Sequence, residues 1–446
     1  MSTRPRDREA TAAIDRRRFL KTATAAGVAF GLRRAGAAPS DRVRVAVMGT
    51  NGRGTQLARI FARADGGEVA YVCDVDDAAL AKALKGLSAV GAPAPKTVKD
   101  FRRALDDAAV DALVVAAPDH WHAPAAILGL AAGKHVYLEK PCSHNPQEGE
   151  WLVAAARASG RVVQMGAQRR SWPNVIEAIQ RLREGAIGPV HYARGWYANT
   201  RGPIGRGKPA PPPAGLDFEL WQGPAPRRPF RDNLVHYNWH WFWHWGTGEA
   251  CNNGTHEIDV MRWGLGVEHP VRVISSGGRY HFDDDWECPD TQVIAFDFEG
   301  RKTIAWEGRS CNGRPIEGLD RGVTFHGENG TLLIDGNGYH VFDAKNAPLA
   351  SVVEKSEQSG TNVVGPGDRL DALHVADFID SVRRSRRPSC DIEQGHRSVL
   401  LCHLGNIAQR VGRSLRCSPA DGRILGDDEA MALWRREYEP GWAPRV

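Results

Sequence analysis

The sequence VRVAVMGTNGRG, at residues 43–54, joins a short apolar run to a glycine-rich turn and then to a helix-like stretch. Gly49, Gly52 and Gly54 leave backbone N–H groups free at the start of that helix, where the helix dipole also favours an anion such as a pyrophosphate. Asp74 follows Gly54 by 20 residues, at the end of the next apolar run. A turn, a helix and an acid in this arrangement predict a dinucleotide site on a strand–helix–strand unit.

The pattern along the chain predicts two domains. Short apolar runs alternate with helical patterns as far as residue 168, which indicates a Rossmann-type, doubly wound parallel α/β sheet over 42–168. After a helix-like stretch at 174–185, longer runs separated by the turns EGRK and GENG predict antiparallel strands. The end of the chain returns to helical spacing. We therefore expect an α/β domain followed by an α+β domain over 169–440.

Residues 1–37 have the order of an export leader: a charged start, an 11-residue apolar run, and the small-residue sequence AGA. Within it, DRRRFLK resembles the twin-arginine signal, which is read by a translocase for folded proteins; an ordinary basic leader is the alternative. The apolar run is shorter than the roughly 20 residues of a membrane-spanning helix. We therefore expect twin-arginine export to the periplasm and no membrane span.

Charge and cysteine usage narrow the classes of partner. The chain has 58 Lys and Arg against 53 Asp and Glu, and the leader holds nine and three of these, which leaves 49 and 50. A nearly neutral mature chain gives no indication of a nucleic-acid partner. The eight cysteines show no metal-type spacing. Because a protein folded in the cytoplasm before export needs no disulfides, we expect free, mostly buried thiols.

The motifs GTNGRG, AAPDHWHAP, EKP and NNGTHEID, in this order between residues 43 and 413, resemble those of the Gfo/Idh/MocA oxidoreductases. The resemblance implies a nucleotide-binding domain followed by a domain whose large, open, mainly antiparallel sheet often makes oligomer contacts, so a homo-oligomer is expected. It implies cofactor contacts from Gly49, Asn51, Gly52, Arg53, Gly54, Asp74, Pro118, His122, Glu139 and Lys140.

In that family, the lysine of an E-K-P motif and the histidine of a D-x-x-x-H motif flank the reacting carbon, which implies Lys140 and His256 here. His256 suits the acceptor of a hydroxyl proton, and Lys140 suits the cation beside the developing alkoxide. The motif's acid falls on Asn252, a departure, since an amide can bind the substrate but cannot take up a proton. A structural histidine capping a turn is the alternative for His256.

The aromatic segment HYNWHWFWHWG covers residues 236–246. Read as a strand, it places Tyr237 and four tryptophans on one face, either as a platform for the apolar face of a sugar or as core or interface aromatics. A helical reading would align His236, His240 and His244, but no acidic ligand follows, and no metal is expected. The expected substrate contacts are Gln168, Arg169, Tyr237, Trp239 and His240.

The leader and the dinucleotide site together restrict the chemistry. An exported protein cannot exchange NADH for NAD, so the cofactor must be tightly held and regenerated in each cycle. Asp74 would bind ribose hydroxyls and repel a 2′-phosphate, which favours NAD over NADP. One hypothesis is an oxidoreductase acting on a sugar, a sugar derivative or a cyclitol. The other is an NAD-dependent glycosidase working through a transient 3-keto sugar with no net redox change. A sugar-binding protein with a vestigial nucleotide site is disfavoured, because Lys140 and His256 are both present.

Overall fold

The computed structural model describes residues 42–354 and 367–446. The predicted leader, residues 1–37, lies outside these ranges. Within them, none of the helices combines the length and the apolar character that a bilayer crossing requires.

The first domain is a six-stranded parallel sheet with the order β3-β2-β1-β4-β5-β6. β1, β4 and β5 are almost entirely buried, as expected for central strands covered by helices on both faces. The predicted Rossmann-type fold is confirmed. Its strands are β1 (Val43–Met48), β2 (Gly67–Cys73), β3 (Lys96–Val98), β4 (Ala112–Val115), β5 (His135–Leu138) and β6 (Val163–Met165), and its helices are α1 (Arg53–Arg63), α2 (Asp77–Ser88), α3 (Arg102–Leu105), α4 (His122–Ala131) and α5 (Pro146–Ser159).

The second domain is built on a nine-stranded sheet with the order β14-β13-β12-β11-β7-β10-β9-β8-β15. Its pairs are antiparallel except β7 with β10, so the predicted, mainly antiparallel sheet is confirmed. The turns EGRK and GENG join β9 to β10 and β11 to β12. The strands are β7 (Val190–Ala198), β8 (Arg272–Gly278), β9 (Thr291–Phe298), β10 (Lys302–Arg309), β11 (Arg321–Gly327), β12 (Gly330–Ile334), β13 (Gly338–Asp343), β14 (Pro348–Val353) and β15 (Leu415–Arg416).

Helices cover one face of this sheet. A Cβ on Gly195 of β7 would lie 2.9 Å from the side chains of Glu257 and Met261, so glycine there lets the covering helix approach closely. The eight cysteines are unpaired, and all but the half-buried Cys311 are buried, as expected. The helices are α6 (Pro173–Arg183), α7 (Phe218–Gln222), α8 (Gly248–Asn252), α9 (Gly254–Leu265), α10 (Asp368–Arg384), α11 (Ile392–Val411) and α12 (Asp428–Ala432).

Helix α10 lies late in the sequence but packs on the first domain. Its buried residues Val375, Phe378 and Ile379 join the apolar cluster of β1 and α1. The ring of Phe378 meets those of Phe61 and Tyr137 edge to face, with centroids 6.0 and 5.7 Å apart. The return of this helix brings residues near 370 to the start of α1.

The aromatic segment 236–246 is not a strand, so the predicted common face of its tryptophans is wrong. Residues Asn238–Trp241 form a 3₁₀ turn, and further i→i−3 backbone bonds follow from Phe242 and Trp245. The physical reason is that neighbouring rings enter different apolar clusters. Trp241 stacks on Trp286 at 3.9 Å, whereas Phe242 and Trp245 pack in another cluster beside the first domain. Local turns satisfy the backbone groups that a strand would have left for a neighbouring strand.

Candidate active site

A single cavity runs from the glycine-rich turn to the start of α9. Of the sequence-predicted cofactor and catalytic residues, all but Gly54 line it, and so do four of the five expected substrate contacts. The lining residues among those predictions are Gly49, Asn51, Gly52, Arg53, Asp74, Pro118, His122, Glu139, Lys140, Gln168, Tyr237, Trp239, His240, Asn252 and His256.

The glycine-rich turn fits a dinucleotide pyrophosphate. Gly49 has φ +83°, and a Cβ there would lie 2.5 Å from the backbone nitrogen of Ala117. At Gly54, a Cβ would collide with the carbonyl of Gly49, so the helix start packs directly under the turn. Gly52 differs, because a Cβ there meets nothing within 4 Å. Helix α1 has no side-chain cap and no acidic residue in its first turn, which leaves its N–H groups for an anion.

Asp74 follows β2 at the edge of the cavity, and its carboxylate organises the turn. Its Oδ2 accepts hydrogen bonds from the backbone N–H of Thr50, at 2.5 Å, and from the Thr50 hydroxyl, at 3.2 Å. Its Oδ1 accepts from the N–H of Asp76 at 3.0 Å. Burial raises the pKa of Asp74, and these hydrogen bonds oppose the rise. The carboxylate is therefore fixed beside the turn, where a ribose would lie.

Arg53 joins two carboxylates from distant parts of the chain. Its Nε donates to Glu139 at 2.8 Å, and its two terminal nitrogens each donate to Asp371 at 2.6 Å. Although burial alone would raise the pKa of Glu139, Arg53 and Lys140 hold it below its usual value. Gln168 donates a further hydrogen bond to Glu139 at 3.3 Å. This ion-pair network forms the wall between the turn and Lys140.

Lys140 lies at the carboxyl end of β5, and its ammonium reaches α8. The Nζ donates to the Asn252 side-chain Oδ1 at 2.9 Å and to the Asn252 backbone carbonyl at 2.6 Å. Burial lowers the pKa of Lys140, and the carboxylates of Glu139, Asp119 and Glu249 oppose that shift. Lys140 and Asn252, two of the sequence-predicted catalytic residues, are thus in direct contact, although they are 112 residues apart.

His256 stands in the first turn of α9 with its side chain in the same cavity, and it is only 7% exposed. Burial lowers its pKa well below the usual value, and the nearby cations Arg321, Lys140 and Arg169 add to the effect. Its ring makes no hydrogen bond to any residue of 42–354 or 367–446. A neutral, unpartnered imidazole in a cavity is free to accept a proton from a bound hydroxyl.

Arg169, one of the expected substrate contacts, does not line the cavity. Its side chain is 2% exposed, and Nη1 lies 3.9 Å from Glu257. Glu257 also pairs with Arg321 at 3.1 Å. The reason is the orientation of α9: His256 faces the cavity, whereas Glu257 faces the sheet. Arg169 and Arg321 lie beside the Glu257 carboxylate, beneath the cavity. Arg169 therefore contributes charge behind the site.

Part of the aromatic segment forms the other wall. Tyr237, Trp239 and His240 line the cavity, and the rings of Trp239 and His240 stack with centroids 3.6 Å apart. Arg201 donates to the Tyr237 hydroxyl at 2.7 Å. The segment therefore divides between cavity-lining rings and core rings such as Trp241, which is 1% exposed.

His236, His240 and His244 do not form a common site. Each ring donates to a different acceptor: the Asp76 carboxylate at 2.6 Å, the Tyr237 carbonyl at 2.6 Å and the Pro226 carbonyl at 2.8 Å. The helical alignment that a shared metal would have required does not occur.

Several residues of the site were not found from the sequence. Only long-range packing brings these residues to the cavity or beside it. They are the acids Asp119, Glu249 and Asp371, and Arg201 from the Pro- and Gly-rich segment. Of these four residues, only Glu249 had a signal in the sequence: it stands three residues before Asn252 on a helical pattern, a spacing that places the two side chains side by side.

Two models of one oxidoreductase family match most of the chain. The NAD-binding Rossmann fold model matches residues 43–167, and the C-terminal alpha/beta domain model matches 196–318 and 367–443. The first match contains the glycine-rich turn and Lys140, and the second contains Asn252 and His256.

Curated relatives include proteins named as glycosidases. A glycosyl hydrolase family 109 protein of Stenotrophomonas maltophilia is 30% identical over 288 residues, which are 60% of this chain and 63% of the relative. An alpha-N-acetylgalactosaminidase of Tannerella forsythia is 27% identical over 220 residues, which are 42% of this chain and 46% of the relative. The chain thus spans less than two thirds of the length of each.

Solved structures share the fold over 84% of this chain. A levoglucosan dehydrogenase in complex with NADH and levoglucosan superposes with a TM-score of 0.66 at 17% identity, covering 99% of that chain. An aldose-aldose oxidoreductase from Caulobacter crescentus gives 0.63 at 20% identity, also covering 99% of that chain. The two domain matches and this shared architecture show that the chain belongs to the Gfo/Idh/MocA oxidoreductase family, with an N-terminal domain that binds a nicotinamide dinucleotide.

Proposed function

We propose that this protein oxidises and reduces a secondary alcohol carbon of a sugar, a sugar derivative or a cyclitol, with NAD as a resident cofactor. The observation behind the proposal is that Lys140 and His256 share one cavity with the glycine-rich turn. A hydride acceptor, a cation and a neutral base are the groups that alcohol oxidation needs.

The chain's residues have distinct parts in this reaction. A nicotinamide dinucleotide held by the glycine-rich turn and Asp74 would supply the hydride acceptor for the alcohol carbon. His256 takes the hydroxyl proton, since its lowered pKa keeps the ring unprotonated near neutral pH. Lys140 stabilises the developing negative charge on the oxygen, and the contact with Asn252 fixes its ammonium. Return of the hydride and the proton restores an alcohol.

NAD, in preference to NADP, is proposed from the carboxylate of Asp74. It lies beside the turn with both oxygens already oriented by Thr50 and Asp76. A 2′-phosphate would meet the Asp74 carboxylate here, and the lysine that lines this part of the cavity, Lys99, is already paired with Asp77. Replacing Asp74 by serine should raise the ratio of NADP to NAD affinity about tenfold, measured by fluorescence titration of the apoprotein.

Cofactor retention is proposed from residues 215–240, which we call the clasp. Asp217 donates its N–H to the carbonyl of Val75 at 2.9 Å, and His236 donates to Asp76 at 2.6 Å. Both partners come directly after Asp74. The clasp also lines the cavity through Leu220 and Trp221, so a bound nucleotide would lie between it and the glycine-rich turn.

A redox-neutral glycosidase is the second candidate, favoured by the names of the curated relatives. In this scheme the 3-hydroxyl is oxidised, the keto group acidifies the neighbouring C–H, and loss of that proton expels the glycosidic oxygen. Water then adds, and the hydride returns to carbon 3. The same Lys140 and His256 serve the oxidation, so the site accommodates both schemes.

The first experiment is to purify the protein by gel filtration, denature it and assay the supernatant for nicotinamide nucleotide. We expect near one NAD(H) per chain. An empty protein that binds added NAD weakly contradicts the resident cofactor. A panel of sugars then separates the candidates: an oxidoreductase changes the reduced-cofactor absorbance with a single sugar, whereas a glycosidase releases the aglycone of an aryl glycoside without that change.

We also propose that the twin-arginine translocase exports the protein to the periplasm and that the protein forms a homo-oligomer. The leader supports the export and the location. Apolar residues on the uncovered face of the second sheet support the oligomer, since Ile274 and Val293 there are 39% and 47% exposed. Replacing Arg16 and Arg17 by lysines should retain the protein in the cytoplasm, checked by cell fractionation. Light scattering measures the mass in solution, and a monomer contradicts the oligomer.

A further inference from the structure

Glu249 lies directly behind the contact between Lys140 and Asn252. It belongs to the short helix α8, three residues before Asn252, and its side chain is 3% exposed. Its two oxygens accept four hydrogen bonds. Oε1 accepts from the side-chain amides of Asn252, at 3.3 Å, and Asn253, and Oε2 accepts from the Ser310 hydroxyl at 2.8 Å and the Arg201 Nε at 3.1 Å.

The carboxylate settles which way the Asn252 amide faces. The two ends of an amide have nearly the same shape, and hydrogen-bonding partners decide between them. A carboxylate only accepts hydrogen bonds, so the NH₂ of Asn252 must face Glu249. Its Oδ1 then faces Lys140 Nζ, which only donates. With the amide reversed, its NH₂ would face the Lys140 ammonium, which is also a donor, and its oxygen would face the Glu249 carboxylate, which is also an acceptor.

The same carboxylate supplies a negative charge close to the ammonium. Asn252 is neutral, so it orients Lys140 without balancing its charge. Burial raises the pKa of Glu249, but Arg201, Asn253 and Ser310 outweigh burial and hold it below the usual value. Glu249 is thus ionised, and its charge favours the protonated form of Lys140, in addition to the larger effects of Glu139 and Asp119.

Arg201 connects Glu249 to the aromatic wall. Its Nε binds Glu249, and its Nη1 donates to the Tyr237 hydroxyl at 2.7 Å. The guanidinium also lies over the ring of Trp241, 5.0 Å from the ring centroid. One buried carboxylate therefore links the lysine, the amide and one cavity-lining ring.

We infer that Glu249 is a positioning residue, which orients the Asn252 amide toward Lys140 and keeps the lysine charged. This inference rests on the proposed function, because it assigns Lys140 to the reacting oxygen. It adds a residue that does not itself line the cavity.

The test replaces the charge and keeps the shape, with Glu249→Gln in the full-length holoprotein. We expect kcat for sugar oxidation to fall about 10- to 100-fold with KM changed less than about threefold, since the loss concerns developing charge. NAD content should match the unchanged protein. Glu148→Gln is the control, because Glu148 is also buried and multiply bonded, to Arg436 and Tyr438, yet forms no hydrogen bond with Lys140 or Asn252 within the described residues. That control should keep kcat within about twofold.

A second readout needs neither substrate nor turnover. Lysines reductively methylated with ¹³C-formaldehyde are titrated by NMR, and the Lys140 signal is assigned with Lys140→Arg. In Glu249→Gln the Lys140 midpoint should move about 1 pH unit lower, because a nearby negative charge is lost. An unchanged midpoint, in a protein with native circular dichroism, overturns the inference.

A double variant tests the geometry. Asn252→Asp in the Glu249→Gln background returns a carboxylate to Lys140, and at least a tenfold recovery of kcat is expected. The same change alone brings two carboxylates together and should lower kcat. A double variant no better than Glu249→Gln contradicts the inference. If the unchanged protein transfers no hydride while the Lys140 midpoint still moves, the proposed function fails and the positioning role stands.

Discussion

The two ends of the cavity are built differently. The nucleotide end comes from a turn, a helix and an acid within residues 49–74, and Thr50 of the turn donates two hydrogen bonds to Asp74, 24 residues later. The substrate end joins Lys140 to Asn252 across 112 residues and adds Arg201 and Tyr237 from two further segments. The nucleotide end can therefore be read as a local motif, whereas the substrate end exists only after both domains have packed.

Removing the ammonium at the substrate end should have the largest effect. Lys140→Ala removes the cation beside the reacting oxygen, and we expect kcat to fall about 1000-fold, while bound NAD stays near one per chain. Lys96→Ala, an exposed lysine of the same domain, should leave both values unchanged. Substantial turnover in Lys140→Ala would place the chemistry elsewhere and remove the contrast between the two ends.

The nucleotide end is tested by a pair of glycines. Gly49→Ala should cost at least about 2 kcal/mol of folding free energy, since φ is positive and the new methyl meets the backbone of Ala117. Gly52→Ala should cost less than about 0.5 kcal/mol but reduce NAD affinity about 10- to 100-fold, because its methyl enters open space beside α1. Thermal denaturation and cofactor titration measure the two. Equal stability losses would mean that the turn is purely structural.

The pH dependence of kcat/KM should report the protonation states of His256 and Lys140 at the substrate end. The required base, His256, has a lowered pKa, so it stays unprotonated below pH 6.5, and the acid limb of kcat/KM should fall below that value. Because Lys140 also has a lowered pKa, its charge is lost below pH 10.5, and the alkaline limb should shift downward.

The lowered pKa of His256 should also make the free energy of unfolding depend on pH. The unfolded chain protonates His256 near pH 6.5 before the folded protein does, so this contribution is complete above pH 6.5 and is lost as the pH falls toward the folded pKa. Replacing His256 by asparagine should flatten that part of the stability profile, measured by denaturant unfolding at several pH values. A profile of unchanged slope contradicts the low pKa.

Loosening the clasp should have the smallest effect. His236→Ala removes the 2.6 Å contact with Asp76. We expect NAD to dissociate about 3- to 10-fold faster, with kcat nearly unchanged. His340→Ala is the matched control, since His340 makes a comparable contact with Asp335 at 3.2 Å on the far strands of the second sheet. Equal dissociation rates in the two variants would mean that the clasp does not hold the cofactor.

The sequence by itself determined those parts of the fold and the site that short stretches of the chain build. The turn at Gly49, the acid at Asp74 and the alternation of strands and helices follow from backbone freedom and side-chain periodicity, which act over a few residues. Lys140, Asn252 and His256 were found through a resemblance of motifs, and the structure places them in one cavity.

Only the tertiary structure decided where the aromatic rings and the buried charges lie. The alternation at 236–246 predicted a strand, but Trp241 and Trp245 enter two different clusters, and burial of large rings outweighs a local strand preference. Arg169 lies beneath the site, 3.9 Å from the carboxylate of Glu257, and Glu249 stands behind Asn252, because a buried charge is stabilised by opposite charges or hydrogen-bond donors wherever the fold supplies them. Such partners lie tens to hundreds of residues away, where sequence periodicity gives no signal.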